Sequence, residues 1–271
     1  MTTIRDPRAL IERARAARAD AGTAARILPL IDLTSLRFDE TEAEIETLCR
    51  RALDAGTAAV CVPARSLRAA RAVLGRGPVR LATVANFPDG GEDIARAAEA
   101  TMAAVADGAD EIDVVAPIAA ILEGDLGLVG ELVEACRKAG GERTTLKLIL
   151  ETGKLVDPDR ITAAARAAVM AGIDFLKTST GKVTPGATLE AAVVMLAVSA
   201  EADGRVGFKA AGGVRTANEA AGYLALADMI LGSGWADPTR FRIGASALLD
   251  DVLRRLETRD DGDDDDDDGG Y

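Results

Sequence analysis

The chain has 271 residues, 48% apolar and 28% charged, with 44 acids against 32 bases and no histidine. This excludes a wholly disordered chain, which combines low hydrophobicity with high net charge, and no window approaches the roughly 20 unbroken apolar residues of a membrane-spanning helix. Without imidazole there is no Ser-His-Asp triad, no Cys-His pair and no histidine-held metal, so proton transfer near neutral pH falls to Lys, Asp, Glu, Tyr, Cys or water.

The N-terminal stretch carries acids and lacks the apolar segment of a secretory signal. Residues 1–26 read as an extra amphipathic helix, expected as a lid on the floor of the domain that follows. Cys49, Cys61 and Cys136 are far apart with no CxxC pair, which predicts a reducing, cytoplasmic setting rather than disulfides or a zinc site. From Ile27 onward, short β-branched or apolar runs recur at intervals of about 22 to 35 residues. They read LIDLTS near Ile31, TAAVCVP near Val60, RLATVANFP near Ala82 and DEIDVVAP near Ile112. TTLKLILET near Lys147, DFLKTSTG near Leu176, VGFKAAGG near Phe208 and DMILGSG near Ile230 complete the series. Such runs suit strands of a parallel sheet buried on both faces. The Ala/Glu/Arg/Leu-rich segments between them have helical period, and glycines close them in DAG, ADG, KAG and MAG, as C-caps do.

Eight such βα units over residues 27–257 predict an α/β fold, a (β/α)8 TIM barrel. The alternative, an open doubly wound sheet, calls for G-x-G-x-x-G after the first strand, and none is there. Residues 258–271 hold eight aspartates between Asp260 and Asp268 and no apolar residue before Tyr271, predicting a disordered acidic tail. Setting those eight aside leaves 36 acids against 32 bases, a near-neutral body without the basic face that nucleic acid demands.

Of the 32 bases only six are lysines: Lys138, Lys147, Lys154, Lys177, Lys182 and Lys209. An amine can lose its proton and act as a nucleophile, whereas guanidinium stays charged. Catalytic groups of a barrel stand at the C-terminal ends of its strands. Lys147, Lys177 and Lys209 fall within the fifth, sixth and seventh predicted strands, where a lone charge is costly. The fourth strand places Glu111 and Asp113 on one face. One reading of this set is a buried ion pair between Asp113 and a lysine that fixes the core. The other is amine catalysis: burial and a second cation lower the pKa of an amine, and Lys177 and Lys209 on adjacent strands supply that setting for each other. The nucleophilic amine condenses with a carbonyl to an iminium, an electron sink, and Asp113 relays the proton through water. Neither metal nor cofactor is required. A second constellation suits an anion. Gly181-Lys182 follows strand six, Gly212-Gly213 follows strand seven, and RIGAS (Arg242 to Ser246) lies after the predicted strand eight. Backbone N–H groups at such glycines, and a helix starting at Ser246, favour phosphate.

DFLKTSTGK (Asp174 to Lys182), GFKAAGGVR (Gly207 to Arg215) and ADEIDVV (Ala109 to Val115) closely resemble deoxyribose-phosphate aldolase. LIDLTSL, TVANFPDG, LKLILETG and GWAD…FRIGASALL continue the match in order, over roughly Leu30 to Leu256. The resemblance implies a class I aldolase of deoxyribonucleoside catabolism, cleaving 2-deoxy-D-ribose 5-phosphate to acetaldehyde and D-glyceraldehyde 3-phosphate. It implies a small-molecule sugar phosphate as substrate, no membrane partner, and a homodimer or larger assembly. By the same resemblance Lys177 is the Schiff-base lysine, Lys209 the lysine that depresses its pKa, and Asp113 the proton-relay aspartate. Asp32, Cys61 and Lys147 line the site, while Gly181, Lys182, Gly212, Gly213, Gly244 and Ser246 cradle the phosphate. Ala210 stands where proline is common and Ala247 where many members have a second serine, leaving the phosphate one hydroxyl poorer. Some members end in a mobile tail whose last tyrosine assists proton transfer at C2, the role this implies for Tyr271. The 13 residues from Thr258 to Gly270 span at most ~45 Å, enough for a climb of about 25–30 Å from the floor. A Schiff-base aldolase for a larger sugar phosphate, and a non-catalytic sugar-phosphate-binding barrel, remain as alternative readings.

Overall fold

The computed structural model describes residues 6–37 and 39–260, with side chains as far as residue 257. Eight parallel strands close in chain order: β1 (Ile31–Thr34), β2 (Ala59–Cys61), β3 (Arg80–Ala85), β4 (Glu111–Val115), β5 (Thr145–Ile149), β6 (Phe175–Lys177), β7 (Gly207–Ala211) and β8 (Phe241–Ala245). β8 pairs back onto β1, with Asp32 opposite Gly244. The result is the expected (β/α)8 TIM barrel.

Alternation along each strand separates two environments. Leu33, Val60, Leu81, Ile112, Leu146, Leu148, Leu176, Phe208 and Ile243 are fully buried in the main apolar core. They occupy the outward positions, facing the helices. Each such side chain contributes about 1.5–3 kcal/mol on burial. The intervening inward positions include the charged and small residues of the axis, so the same pattern that builds the helix–sheet core delivers the chemistry there.

The helices between strands are punctuated by sequence. Thr41 and Glu44 form a reciprocal capping box at the start of Glu42–Ala55, and Gly56 (φ 70°) ends that helix in the left-handed region before β2. Thr216 and Glu219 repeat the box at Ala217–Leu231.

Three expectations change. The predicted eighth strand near Ile230 is the end of the helix Ala217–Leu231, and the true β8 is Phe241–Ala245. The run DMIL continues a helical face that already buries Tyr223, Leu224, Leu226 and Ala227. FRIGA was obscured because its inward positions hold Arg242 and Gly244, which leaves no continuous apolar run. RIGAS therefore lies within and just past β8, and the final helix starts at Leu248 rather than Ser246. The N-terminal extension forms two helices, Pro7–Ala16 and Ala21–Ile27, N-capped by Asp6 and Asp20. The first packs against the helices Leu189–Glu201 and Ala217–Leu231 of the outer ring, not the floor. Finally, the last helix continues to Asp260, past the expected boundary at 257. The acidic run beyond Asp260 and Tyr271 lie outside the described residues. Among the described residues no helix is long and apolar enough to cross a membrane.

Candidate active site

Barrel interiors are usually filled by layers of branched apolar side chains. Here the inward positions of β1, β4, β5, β6, β7 and β8 carry Asp32, Glu111 and Asp113, Lys147, Lys177, Lys209 and Arg242, all buried. Small neighbours make the room. Ala59, Cys61 and Ala82 form a separate inner cluster beneath Leu36 and Val84. A Cβ on Gly244 would stand 3.0 Å from Lys209 Cε, so this glycine accommodates the lysine stem from within β8. Phe175 supports the charged layer: the Arg242 guanidinium and Lys147 Nζ lie 5.8 and 5.9 Å from its ring centroid. Gly207 admits that ring, since a Cβ there would meet it at 2.5 Å.

Six of these side chains close a ring of alternating charge. Lys147 Nζ donates to Asp113 Oδ1 at 2.9 Å and to Glu111 Oε2. Arg242 donates through Nη2 to Glu111 Oε1 at 2.8 Å and through Nη1 to Glu111 Oε2 at 3.1 Å. Its Nη1 also donates to Asp32 Oδ1 at 2.7 Å. Lys209 Nζ completes the circuit, donating to Asp32 Oδ2 at 2.5 Å and to Asp113 Oδ2 at 2.7 Å. Three cations and three carboxylates balance. Lys177 hangs outside the ring by a single 2.7 Å bond from Nζ to Asp113 Oδ2. It keeps 3% exposure where Lys147 and Lys209 have none.

The acid–base character follows from those contacts. Burial alone would raise Asp113, yet Lys147, Lys177 and Lys209 together hold it well below the usual carboxylate range. Asp32 is likewise drawn down by Lys209, Arg242 and Lys147 against the cost of its burial. For Lys209 and Lys147 burial works downward, but two carboxylates each prevail and both are raised above an ordinary lysine. Lys177 goes the other way: burial lowers it, Asp113 and, more weakly, Cys61 oppose, and the Lys209 charge adds to the lowering. The expected mutual effect of two lysines is therefore one-sided, and desolvation outweighs the neighbouring cation. Cys61, fully buried beside them, has its thiol pushed up by burial and stays neutral.

The loops after β6 and β7 meet at the barrel mouth. Gly181 (φ 79°) and Gly212 (φ 89°) adopt conformations that side chains rarely take, and a Cβ on Gly212 would lie 3.2 Å from the Cα atoms of both Gly181 and Gly186. Gly213 (φ 91°) faces open space. The Ala187 N–H donates to Gly212 O at 2.8 Å, pinning the two loops together. Glu151, buried and itself at φ 50°, accepts from the Thr180 N–H and hydroxyl and so fixes the turn into Gly181. Lys182 is exposed and donates to Leu36 O at 2.8 Å, across the mouth towards β1. Ser246 is exposed just past β8. Among the buried hydroxyls, Thr152 and Ser179 have no partner within the described residues. Ser179 stands two residues beyond Lys177.

The structure thus brings Asp32, Cys61, Asp113, Lys147, Lys177 and Lys209 together inside the barrel. Gly181 and Gly212 touch at its mouth, where Lys182, Gly213 and Ser246 also lie, and Gly244 stands in β8 beside the Lys209 stem. Tyr271 lies outside the described residues. Sequence reasoning missed Arg242, Gly186 and Glu151, and saw Glu111 only as a companion to Asp113. The signal for Arg242 was present in RIGAS, but a misplaced β8 put that arginine in a loop.

A closed barrel with a lysine–carboxylate layer at its axis defines the candidate site, and sequence comparison places the chain in a family. The chain belongs to the DeoC/LacD family of aldolases, whose sequence profile matches residues 26–253. Among solved structures it is similar to a protein of Coccidioides immitis provisionally described as a deoxyribose-phosphate aldolase, with 28% identity, a TM-score of 0.78 and coverage of 96% of this chain and 100% of that one. An apo structure from Toxoplasma gondii ME49, under the same provisional description, shares 25% identity with a TM-score of 0.81 over 88% of this chain and 97% of that one. The aldolase QR15 shares 26% identity with a TM-score of 0.72, covering 86% and 98%.

Proposed function

We propose that the chain is a metal-independent class I aldolase cleaving 2-deoxy-D-ribose 5-phosphate reversibly to acetaldehyde and D-glyceraldehyde 3-phosphate. The observation that carries this reading is the position of Lys177. It is the one amine of the layer with a single carboxylate contact and a residual opening, lowered in pKa while its neighbours are raised.

In this mechanism the Lys177 amine adds to the sugar's C1 carbonyl, and loss of water gives an iminium. The C3 hydroxyl gives up its proton, the C2–C3 bond breaks, and its electron pair moves into the iminium to leave an enamine on Lys177. C3 departs as the aldehyde carbon of glyceraldehyde 3-phosphate. Protonation of the enamine at C2 and hydrolysis release acetaldehyde and the free amine. Asp113 serves as counter-ion to the iminium and, through water, as the proton relay. Lys209, held cationic by two carboxylates, keeps the free amine from picking up a proton. The phosphate end of the substrate meets the backbone N–H groups of the Gly181 and Gly212-Gly213 turns and the Lys182 ammonium. That assignment supports deoxyribose phosphate over an unphosphorylated sugar.

Acetaldehyde with borohydride should attach a two-carbon label irreversibly to Lys177, read by peptide mapping. Absence of label, or label confined to Lys138 or Lys154, overturns the reading. The cradle gives a second expectation. A Cβ on Gly186 would lie 2.3 Å from Gly212 O, so Gly186→Ala forces the two loops apart. Overpacking of about 1–3 kcal/mol at that junction should raise KM for the sugar phosphate roughly tenfold while kcat changes little. Steady-state kinetics decide it: a fall confined to kcat removes Gly186 from phosphate binding.

A further inference from the structure

Arg242 touches neither the barrel mouth nor Lys177, yet it holds two carboxylates and closes the ring. We propose that Arg242 is a positioning residue for the reaction: by balancing Glu111 and Asp32 it leaves the Lys177 amine as the only group in the layer without carboxylate charge of its own. The inference rests on Lys177 being the nucleophile and explains what makes it one.

Charge counting carries the argument. Lys177 is acted on directly by Asp113 on β4, Lys209 on β7 and Cys61 on β2, and from Asp113 and Lys209 the ring runs on through Lys147 on β5, Glu111 on β4, Asp32 on β1 and Arg242 on β8. Cys61 is neutral, so the ring of three cations and three carboxylates is complete without Lys177. A protonated Lys177 would be a fourth cation against three anions in a dry interior, where uncompensated charge is costly. Take away the Arg242 charge and the count reverses: three lysines then face three carboxylates, and a protonated Lys177 becomes the balancing ion. Arg242 is suited to this because guanidinium does not deprotonate and its planar fork takes Glu111 through both oxygens. Its Nε donates to Pro238 O, which fixes the fork from below. The same count gives Glu111 the opposite influence, although the two residues are hydrogen-bonded partners in the same layer.

The test is the acid limb of the kcat/KM–pH profile, which reports the free enzyme, together with the pH dependence of borohydride trapping at Lys177. Arg242→Met should move the limb up by about one pH unit, a roughly tenfold loss at a fixed acidic pH. Glu111→Gln should move it down. Arg242→Lys should restore the wild-type limb, and the double variant Glu111→Gln/Arg242→Met should lie near wild type. A purely structural role would lower the rate in both single variants without moving the limbs in opposite directions. That result, or shifts of the same sign, overturns the inference. If Arg242→Met does not fold, Glu111→Gln and Arg242→Lys keep the sign testable: a limb that Glu111→Gln fails to lower, or that Arg242→Lys displaces, overturns it equally. Wild-type trapping at Lys177 with unmoved limbs refutes this inference alone, whereas failure to trap at Lys177 refutes the proposed function as well.

Discussion

Lys177→Met is expected to reduce turnover by at least about 10⁴-fold, the scale of losing a covalent nucleophile, while costing the fold less than any other lysine replacement in the layer. Methionine matches the length of the lysine stem and carries no charge. It forfeits one hydrogen bond to the ionised Asp113, worth about 1.5–3 kcal/mol, and Asp113 retains Lys147 and Lys209. The same replacement at Lys147 or Lys209 strips a cation from the ring and leaves its carboxylates under-compensated, a loss of about 3–5 kcal/mol. Denaturant melts of the three variants beside their kinetics give the comparison. A Lys177→Met protein as unstable as Lys209→Met would mean that Lys177 is a charged member of the ring, and the nucleophile assignment would fall.

The resemblance gave the three lysines different roles, but the contacts behind that contrast were not legible in the residues themselves. Their scarcity and their place on predicted strands marked Lys147, Lys177 and Lys209 as a set, because a barrel interior tolerates few ammonium groups. Seven of eight strands were legible for a related reason: Leu146 and Leu148 flank Lys147, and Ile112 and Val114 flank Asp113, so outward apolar positions still spelled a buried strand. β8 was not, since Arg242 and Gly244 stand at its inward positions and the apolar residues left behind are too few. The error propagated: Arg242 went unremarked as a ring member, and the place of Gly244 beside the Lys209 stem went unseen. Gly186 and Glu151 depend on contacts between two separate βα loops, and nothing in local pattern connects residues 151, 180, 186 and 212. The resemblance marked the separate residues, whereas which amine is singled out by its partners is a property of the closed ring.

Asp113→Asn should be the most damaging single change in stability and should separate binding of the carbonyl from cleavage. Asp113 accepts from all three lysines; an amide offers one oxygen and no charge, leaving the cations Lys147, Lys209 and Arg242 with only the two carboxylates Asp32 and Glu111. Breaking a buried network in this way costs about 3–5 kcal/mol. The sign of the pH dependence is fixed by the folded pKa lying well below the ordinary value. The contribution of Asp113 is fully present above its unfolded pKa of about 3.9 and fades as pH falls towards the folded value, by about 1.4 kcal/mol per unit. The stability deficit of Asp113→Asn should therefore be constant from pH 7 down to about 4 and narrow below it, which urea unfolding at pH 7, 4 and 3 would reveal. A deficit independent of pH would mean that the loss is one of shape rather than charge. In catalysis, Lys177 loses its only carboxylate and its amine becomes easier to deprotonate, so trapping of acetaldehyde by borohydride should persist. Exchange of acetaldehyde C2 protons into D2O should fall by about 10²–10⁴-fold, the usual worth of a positioned acid–base group. If trapping and exchange decline together, Asp113 only holds the lysine in place, and the proton at C2 must travel by another route.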